Sequence, residues 1–150
     1  MMKPVQRHRI SLLALTALLW AGCSEPLPDE ARIRQRIELM STATANKDLS
    51  EVMAPIHEDF LGNERIRMAN LKGLVFVHFR RHKHVHVFVH DVQVSVNGTT
   101  AEVSCHLVLA GREQVLPEQG RVLQVTSQWK KIDGDWWVMS ARWQDPFVAQ

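Results

Sequence analysis

The spacing of apolar residues changes along the chain, from a helical repeat in the first half to strand alternation in the second. Apolar positions three and four residues apart predict a first helix from Asp29, which would cap it, to about Asn46. Asp48 followed by Glu51 is a capping-box pattern, so a second, short helix is predicted to begin there.

A third helix is predicted from Asn63, where apolar residues again recur with helical spacing. Its middle contains Gly73. Glycine costs about 1 kcal/mol relative to alanine inside a helix, so its presence indicates close packing of this helix against a neighbouring element.

From Lys83 onward, apolar and polar residues alternate as they do in a strand with one buried face. The valines from Val85 to Val89 share one face, whereas those from Val92 to Val96 have the opposite parity. Both sets reach the same core only if an extra residue near His90 and Asp91 forms a β-bulge. The pattern therefore predicts one long, bent strand.

Two hairpin turns are the clearest local signals in the second half. Asn97-Gly98 and Asp133-Gly134 have the residue types that two-residue turns favour. They join four predicted strands, and a long polar connection from Gly111 to Gly120 lies between them. Helices followed by strands are typical of an α+β domain. We therefore predict three N-terminal helices packed in a strongly bent, four-stranded antiparallel sheet.

The N-terminus has the organisation of a bacterial export signal. Residues 1–9 are positively charged, residues 10–20 form an apolar run of 11, and Ala21-Gly22-Cys23 follows. As a helix the run is about 16 Å long, too short for the roughly 30 Å of a membrane core. Small residues that end in a cysteine resemble the lipobox of bacterial lipoproteins, which implies cleavage before Cys23 and lipid on its sulfur. The predicted organisation is a signal peptide at 1–22, a lipid-anchored tether at 23–28, one domain at 29–146 and a tail at 147–150.

A secreted protein cut near Ala21 or Gly22 is the alternative to lipid attachment. The chain has only two cysteines, and lipid on Cys23 leaves Cys105 without an intramolecular partner. Cys105 alternates with apolar residues, so it is predicted to be a buried and inert strand residue. Ser24 is not the aspartate that retains many lipoproteins in the inner membrane, which favours the periplasmic face of the outer membrane.

Composition indicates one globular domain, and charge excludes one class of partner. The 150 residues are 45% hydrophobic and 23% charged, which is typical of a single domain of this length. Three of the 18 Lys and Arg residues lie in the first nine positions, which leaves 15 against 16 Asp and Glu. Because positive and negative charges nearly cancel, the protein has no strong electrostatic field, and we predict no nucleic-acid partner.

The closing segment, from Trp129 to Val138, resembles the last hairpin of the nuclear transport factor 2-like superfamily, which includes ketosteroid isomerases and polyketide cyclases. The segments 116–120 and 140–143 are similar to those of small proteobacterial lipoproteins of this superfamily, which have no assigned activity. The resemblance covers about residues 29–145. It implies a sheet that curls around helices to enclose a conical pocket.

Catalysis of the ketosteroid isomerase type needs a general base and acidic or hydroxyl donors in an apolar cavity. The chain has no tyrosine to provide a phenol. An acid could come only from Asp59, Asp91, Asp145 or a glutamate, and the candidate catalytic group is Asp59 with His57, His106 or Arg142. Asp59 is alternatively a solvent-facing or capping carboxylate.

Histidines are concentrated between His78 and His90, where five of the eight lie. On an extended strand, alternate side chains share a face about 7 Å apart, which places three imidazoles within reach of zinc, copper or nickel. These candidate ligands are His82, His84 and His86, with His106 or His78 as a further ligand. The alternative is a solvated face of the sheet that titrates near pH 6.5.

Tryptophans near the C-terminus are candidates for a ligand pocket. A sheet that encloses a pocket can present aromatic rings to an apolar ligand, and an arginine can bind its carboxylate or phosphate. We predict this role for Trp129, Trp137, Arg142 and Trp143, with core packing as the alternative. Trp136 and Trp137 are adjacent, so they point to opposite faces of a strand.

These observations predict an envelope lipoprotein that acts as a non-catalytic module, binding a small apolar or anionic ligand or another protein. The alternatives are an envelope enzyme of the cyclase, isomerase or hydratase kind and a histidine-dependent metal-binding protein. No cofactor is implied. The predicted partner is the membrane, through lipid on Cys23, and the sequence is compatible with either a monomer or a dimer.

Overall fold

The computed structural model describes residues 26–111 and 121–144. These residues form three helices and six strands. In chain order the elements are α1 (Asp29–Ala45), α2 (Leu49–Met53), β1 (Ile56–Gly62), β2 (Ile66–Arg67), α3 (Met68–Arg81), β3 (Val85–Asn97), β4 (Thr100–Gly111), β5 (Arg121–Ile132) and β6 (Asp135–Gln144).

All six strands belong to one mixed sheet, in the order β2-β1-β6-β5-β4-β3. Strand β1 runs parallel to β6, and every other pair is antiparallel. The α+β class is confirmed, but the prediction of a four-stranded antiparallel sheet is wrong. Strand β1 is not evident from the sequence because the polar, exposed Glu58 lies between the buried residues Ile56 and Phe60 and interrupts the alternation. Its pairing with β6 also shifts register between Ile56 and Leu61.

Helix α3 begins at Met68, five residues later than predicted. Asn63 and Glu64 have φ angles of 43° and 64°, and this left-handed pair turns the chain from β1 into the short strand β2. The expectation for Gly73 is also wrong. A Cβ atom at Gly73 would have no neighbour within 4 Å, so no element packs closely there.

The predicted bulge in the long strand is confirmed. Strand β3 is continuous over 13 residues, and its pairing with β4 shifts between His90 and Gln93. Asp91 has a φ of 53°, as an extra residue in a bulge often has. The bulge lets valines of both parities face the same core, as the sequence required.

One of the two hairpin turns lies where predicted. Asp133 and Gly134 have φ angles of 50° and 87° and connect Ile132 directly to Asp135. In the first hairpin Asn97 pairs with Thr100, so the two turn residues are Gly98 and Thr99, one position later than predicted.

Of the two residues predicted to cap a helix, Asp48 does so and Asp29 does not. Asp48 accepts a hydrogen bond from the Glu51 backbone N–H at the start of α2, which confirms the second helix. Asp29 is the first helical residue rather than the cap, and its carboxylate accepts hydrogen bonds from Lys131 Nζ and Trp136 Nε1 at 2.9 Å each. These two hydrogen bonds, with the charge of Lys131, lower the pKa of Asp29 below its usual value.

The core lies between α1 and the concave face of the curved sheet. Ile33 of α1 is fully buried against a cluster that includes Phe60, Val103, Trp129 and Trp136, each 3% exposed or less. Cys105 is buried, as predicted, and its burial raises the pKa of the thiol. Among the described residues, no helix is both long and apolar enough to span a membrane.

Candidate ligand cavity

A cavity of about 260 Å³ lies between the concave face of the sheet and helices α1 and α3. Its wall is formed mainly by aliphatic and aromatic side chains that point inward from α1, α3 and five of the strands. Representative lining residues are Ile37, Met40, Phe60, Leu71, Leu107 and Trp129. The curvature of the sheet creates this space because α1 does not fill the whole concave face.

The hydroxyl groups in the wall already have partners within the protein. Ser41 Oγ donates to the Val87 carbonyl oxygen at 2.8 Å, and Thr44 Oγ1 donates to that of Met40 at 2.7 Å. Ser127 Oγ accepts a hydrogen bond from Trp129 Nε1 at 2.9 Å. These hydroxyl groups are therefore already hydrogen-bonded within the protein and do not depend on a ligand for a partner.

No carboxylate, histidine, lysine or arginine lines this cavity among the described residues. The one ionisable group in the described part of the wall is the thiol of Cys105, whose raised pKa keeps it protonated at neutral pH. An apolar wall of this kind opposes the entry of a charged group, because nothing replaces the water that the group would lose.

The predicted aromatic and arginine residues are divided between the two faces of the sheet. Trp129 and Trp143 line the cavity. Trp137 and Arg142 lie on the outer face, where Trp137 is paired with Lys130 and Arg142 Nη2 is 2.7 Å from Glu64 Oε1. The four residues therefore do not surround one ligand site, in contrast to the prediction.

An irregularity in β6 explains this division. Strand β5 pairs Trp129 with Val138 but Gln128 with Ser140, so Met139 is an extra residue in β6. Before this bulge Trp136 and Val138 face inward, and after it the inward residues have the opposite parity and include Trp143. Regular alternation would have placed Trp143 on the same face as Trp137.

The candidate pair of His57 and Asp59 lies on the outer face of β1, away from the cavity. The Asp59 side chain is 77% exposed, and its Oδ2 is 3.7 Å from His57 Nδ1. That nitrogen accepts the Asp59 backbone N–H at 3.1 Å, so it has no proton to donate to the carboxylate. His57 instead contacts Trp137 edge to face, with the ring centroids 6.0 Å apart.

His106 also lies on the outer face, because its neighbours Cys105 and Leu107 point into the cavity. Its Nδ1 is 3.4 Å from Oδ2 of Asp91, the residue of the bulge, and has no hydrogen-bond partner in the described part of the chain. Three candidate catalytic residues, Asp59, His57 and His106, are thus separated from the cavity by the sheet.

The three candidate metal ligands do not share a strand face. Strand β3 begins at Val85, so His82 and His84 precede it. His82 is the C-cap residue that follows α3, and its ring packs against that of His78, with the centroids 4.4 Å apart. Burial, and then the nearby His82, lower the pKa of His78. Across 26–111 and 121–144, no three His, Cys, Asp or Glu side chains come together as a metal site.

Gly62 supports the cavity-lining ring of Trp143, a role that the sequence did not indicate. A Cβ atom there would lie 2.6 Å from the end of the Trp143 ring and 3.0 Å from the Phe60 ring. Glycine at this position therefore lets the Trp143 ring lie directly on β1. The only sequence signal was a glycine that follows an apolar pair, which is too common to identify a close contact.

A second, more open groove of about 490 Å³ lies between α1 and the edge strand β3. Arg34 lines it, donating to the Val92 carbonyl at 2.8 Å and to Glu30 at 2.9 Å. Its charged side chain is thus held by the protein itself, and the groove offers a ligand less enclosure than the inner cavity.

The fold is similar to those of several solved bacterial structures. A nuclear transport factor 2-like protein of unknown function from Pseudomonas putida KT2440 aligns with a TM-score of 0.69 and 16% identity, over 83% of this chain and 93% of that one. A protein from Novosphingobium aromaticivorans, described as nuclear transport factor 2-like with a cystatin-like fold, aligns with 0.66 and 17%, over 81% and 84%. A protein of that family from Streptomyces avermitilis, named as a proposed dehydratase, aligns with 0.65 and 14%, over 80% and 97%.

No protein-family model and no curated protein matches the chain. At 14% to 17% identity the similarity to the solved structures concerns the fold, and a shared fold does not establish a shared reaction. The resemblance seen in the closing hairpin is confirmed at this level.

Proposed function

We propose that this chain, which has the nuclear transport factor 2-like fold, is a non-catalytic module that binds a small, apolar and uncharged ligand in the inner cavity. We further propose that lipid on Cys23 holds it in the bacterial cell envelope, at the periplasmic face of the outer membrane. The observation that carries the ligand proposal is the wall of the cavity, where hydroxyls are paired internally and no charged side chain is present among the described residues.

The size and chemistry of the cavity support this choice of ligand. Its volume of about 260 Å³ lies just below the roughly 300–1,000 Å³ of pockets for drug-sized molecules. Trp129 and Trp143 offer ring surface to an apolar ligand. Arg142, the predicted partner of an anionic ligand, lies on the other face of the sheet, so an uncharged ligand is favoured over an anionic one.

A matched pair of ligands tests the proposal. In calorimetric titration of the full chain, we expect naphthalene-methanol to bind at least about tenfold more tightly than naphthalene-carboxylate, because the carboxylate would lose its water without gaining a partner. Equal binding, or tighter binding of the carboxylate, would contradict the proposal.

A pair of adjacent substitutions locates the binding site. Leu107 points into the cavity and is only half-buried, so Leu107→Trp is expected to fill the space and weaken binding of the alcohol at least about tenfold. Val108 is the next residue and points to the other face, so Val108→Trp is the control and should leave binding unchanged. If both variants weaken binding equally, the ligand does not occupy this cavity.

The alternative of an envelope enzyme receives its main support from the names of two structural neighbours. One is the proposed dehydratase, and another from Novosphingobium aromaticivorans is named as a proposed aromatic ring hydroxylase. Each of these reactions needs a group that moves protons or electrons close to the substrate. The described wall of the cavity supplies only a protonated thiol, so we favour binding over catalysis.

The lipid anchor rests on the residues before Cys23, which lies outside the described part of the chain. We expect Cys23→Ser to prevent lipid attachment, so that the protein accumulates as a precursor and leaves the detergent phase on phase separation. Mass spectrometry of the N-terminus identifies the processed form. The proposal is wrong if the variant still partitions as a lipoprotein or is cut at another residue.

A further inference from the structure

Helix α3 exposes a row of large apolar side chains. Its inner face, which includes Met68, Leu71, Val75 and Phe79, packs against the rest of the domain. On the outer side Leu74 is 56% exposed, Phe76 52% and Val77 43%. Single exposed apolar residues are ordinary on protein surfaces, but Leu74 and Val77 are three positions apart and form a patch, with Phe76 further around the helix.

The same part of the chain is strongly basic, although the chain as a whole is almost neutral. From Arg65 to His90 there is no Asp or Glu. This stretch contains six cationic residues, which are Arg65, Arg67, Lys72, Arg80, Arg81 and Lys83. None of the six forms an ion pair with a carboxylate of the described residues.

The apolar and cationic side chains lie on one face. Val77 is three residues after Leu74 and three and four residues before Arg80 and Arg81, so all four point to the same side of a helix. Arg80 and Arg81 are both exposed. The outer surface of α3 therefore combines an apolar centre with a positively charged end.

We propose that this surface of α3 docks onto a membrane that contains anionic phospholipid. An anionic bilayer matches both halves of the surface, since apolar side chains enter the boundary of the headgroups while Lys and Arg pair with the lipid phosphates. A nucleic acid would satisfy the cations, but it would leave the aliphatic side chains of Leu74 and Val77 against a charged backbone. The surface lies on the side of α3 away from Leu71, which lines the inner cavity.

Vesicle sedimentation of the full chain tests this proposal. All proteins carry Cys23→Ser, so no acyl chain contributes, and the uncleaved residues 1–22 contribute equally to each of them. The vesicles contain phosphatidylglycerol and phosphatidylcholine in equal parts or phosphatidylcholine alone. We expect Arg80→Gln with Arg81→Gln to weaken binding to the anionic vesicles about 30-fold, since each cation near an anionic surface contributes roughly 1 kcal/mol. Leu74→Ser with Val77→Ser should weaken binding to the same vesicles as well.

Lys130→Gln with Arg142→Gln is the matched control, because it removes the same charge from exposed positions on the outer face of the sheet. It should bind as the parent protein does, and thermal melting confirms that every variant is folded. Equal losses in the control and in the α3 variants would mean that only net charge matters, and would overturn the proposal. Unchanged binding of the α3 variants to the anionic vesicles would overturn it as well.

Discussion

Replacing Trp136 with alanine is expected to lower the free energy of unfolding by about 3–5 kcal/mol, a large part of the 5–15 kcal/mol typical of a domain. The Trp136 side chain is 1% exposed and packs in the cluster that includes Ile33. Its Nε1 also donates to Asp29 at 2.9 Å, which connects the last strand to the first turn of α1. The substitution removes both the packing and this connection.

Trp136→Phe separates the two contributions, because phenylalanine retains an aromatic ring but cannot donate to Asp29. We expect a smaller loss of stability than for Trp136→Ala, measured as the shift of the urea midpoint at an unchanged slope. Trp137→Ala on the outer face is the positional control and should cost less than Trp136→Ala. Equal costs for the two alanine variants would mean that the orientation of β6 is not as described.

Replacing Gly62 with alanine is expected to destabilise the protein by about 1–3 kcal/mol and to weaken ligand binding. The new methyl group would lie 2.6 Å from the Trp143 ring and 3.0 Å from Phe60. The Trp143 backbone N–H donates to Asn63 Oδ1 at 2.9 Å, which limits retreat of the backbone. The ring must therefore swing toward the cavity that it lines.

Gly73→Ala is the matched control for this prediction. Gly73 lies in a helix with open space around it, so alanine there should raise stability by about 0.4–1 kcal/mol. Chemical denaturation measures both variants, and titration with naphthalene-methanol measures binding. A Gly62→Ala protein as stable as its parent would show that Trp143 does not rest on Gly62.

Features that depend on neighbouring residues in the chain were predicted well. The capping pair at Asp48 and Glu51, the bulge at Asp91 and the turn at Asp133-Gly134 are all present. Each depends on local backbone conformation or on the parity of nearby valines, and the sequence contains that information directly. The closing hairpin likewise indicated the superfamily fold that the structural neighbours share.

The candidate site was predicted only in part, because a bulge in a strand moves the residues that follow it to the opposite face of the sheet. The extra residue at Met139 reverses the faces of β6, which brings Trp143 to the cavity and leaves Trp137 and Arg142 outside. A bulge in β3 was visible because valines mark both of its halves, whereas the residues around Met139 have no such alternation. The sequence therefore indicated which side chains could bind a ligand, but not which face of the sheet each of them occupies.

The sequence by itself determined the α+β class, the order of the three helices before the four antiparallel strands β3 to β6, and the turn at Asp133-Gly134, because these follow from local spacing and backbone preference. The tertiary structure alone decided that β1 joins β6 in parallel, that Gly62 accepts the Trp143 ring, and that the cavity wall carries no charged side chain among the described residues. These features depend on contacts between residues up to about 80 positions apart, such as Asn63 with Trp143. Such contacts are set by how the curved sheet packs around its helices, which no local pattern encodes.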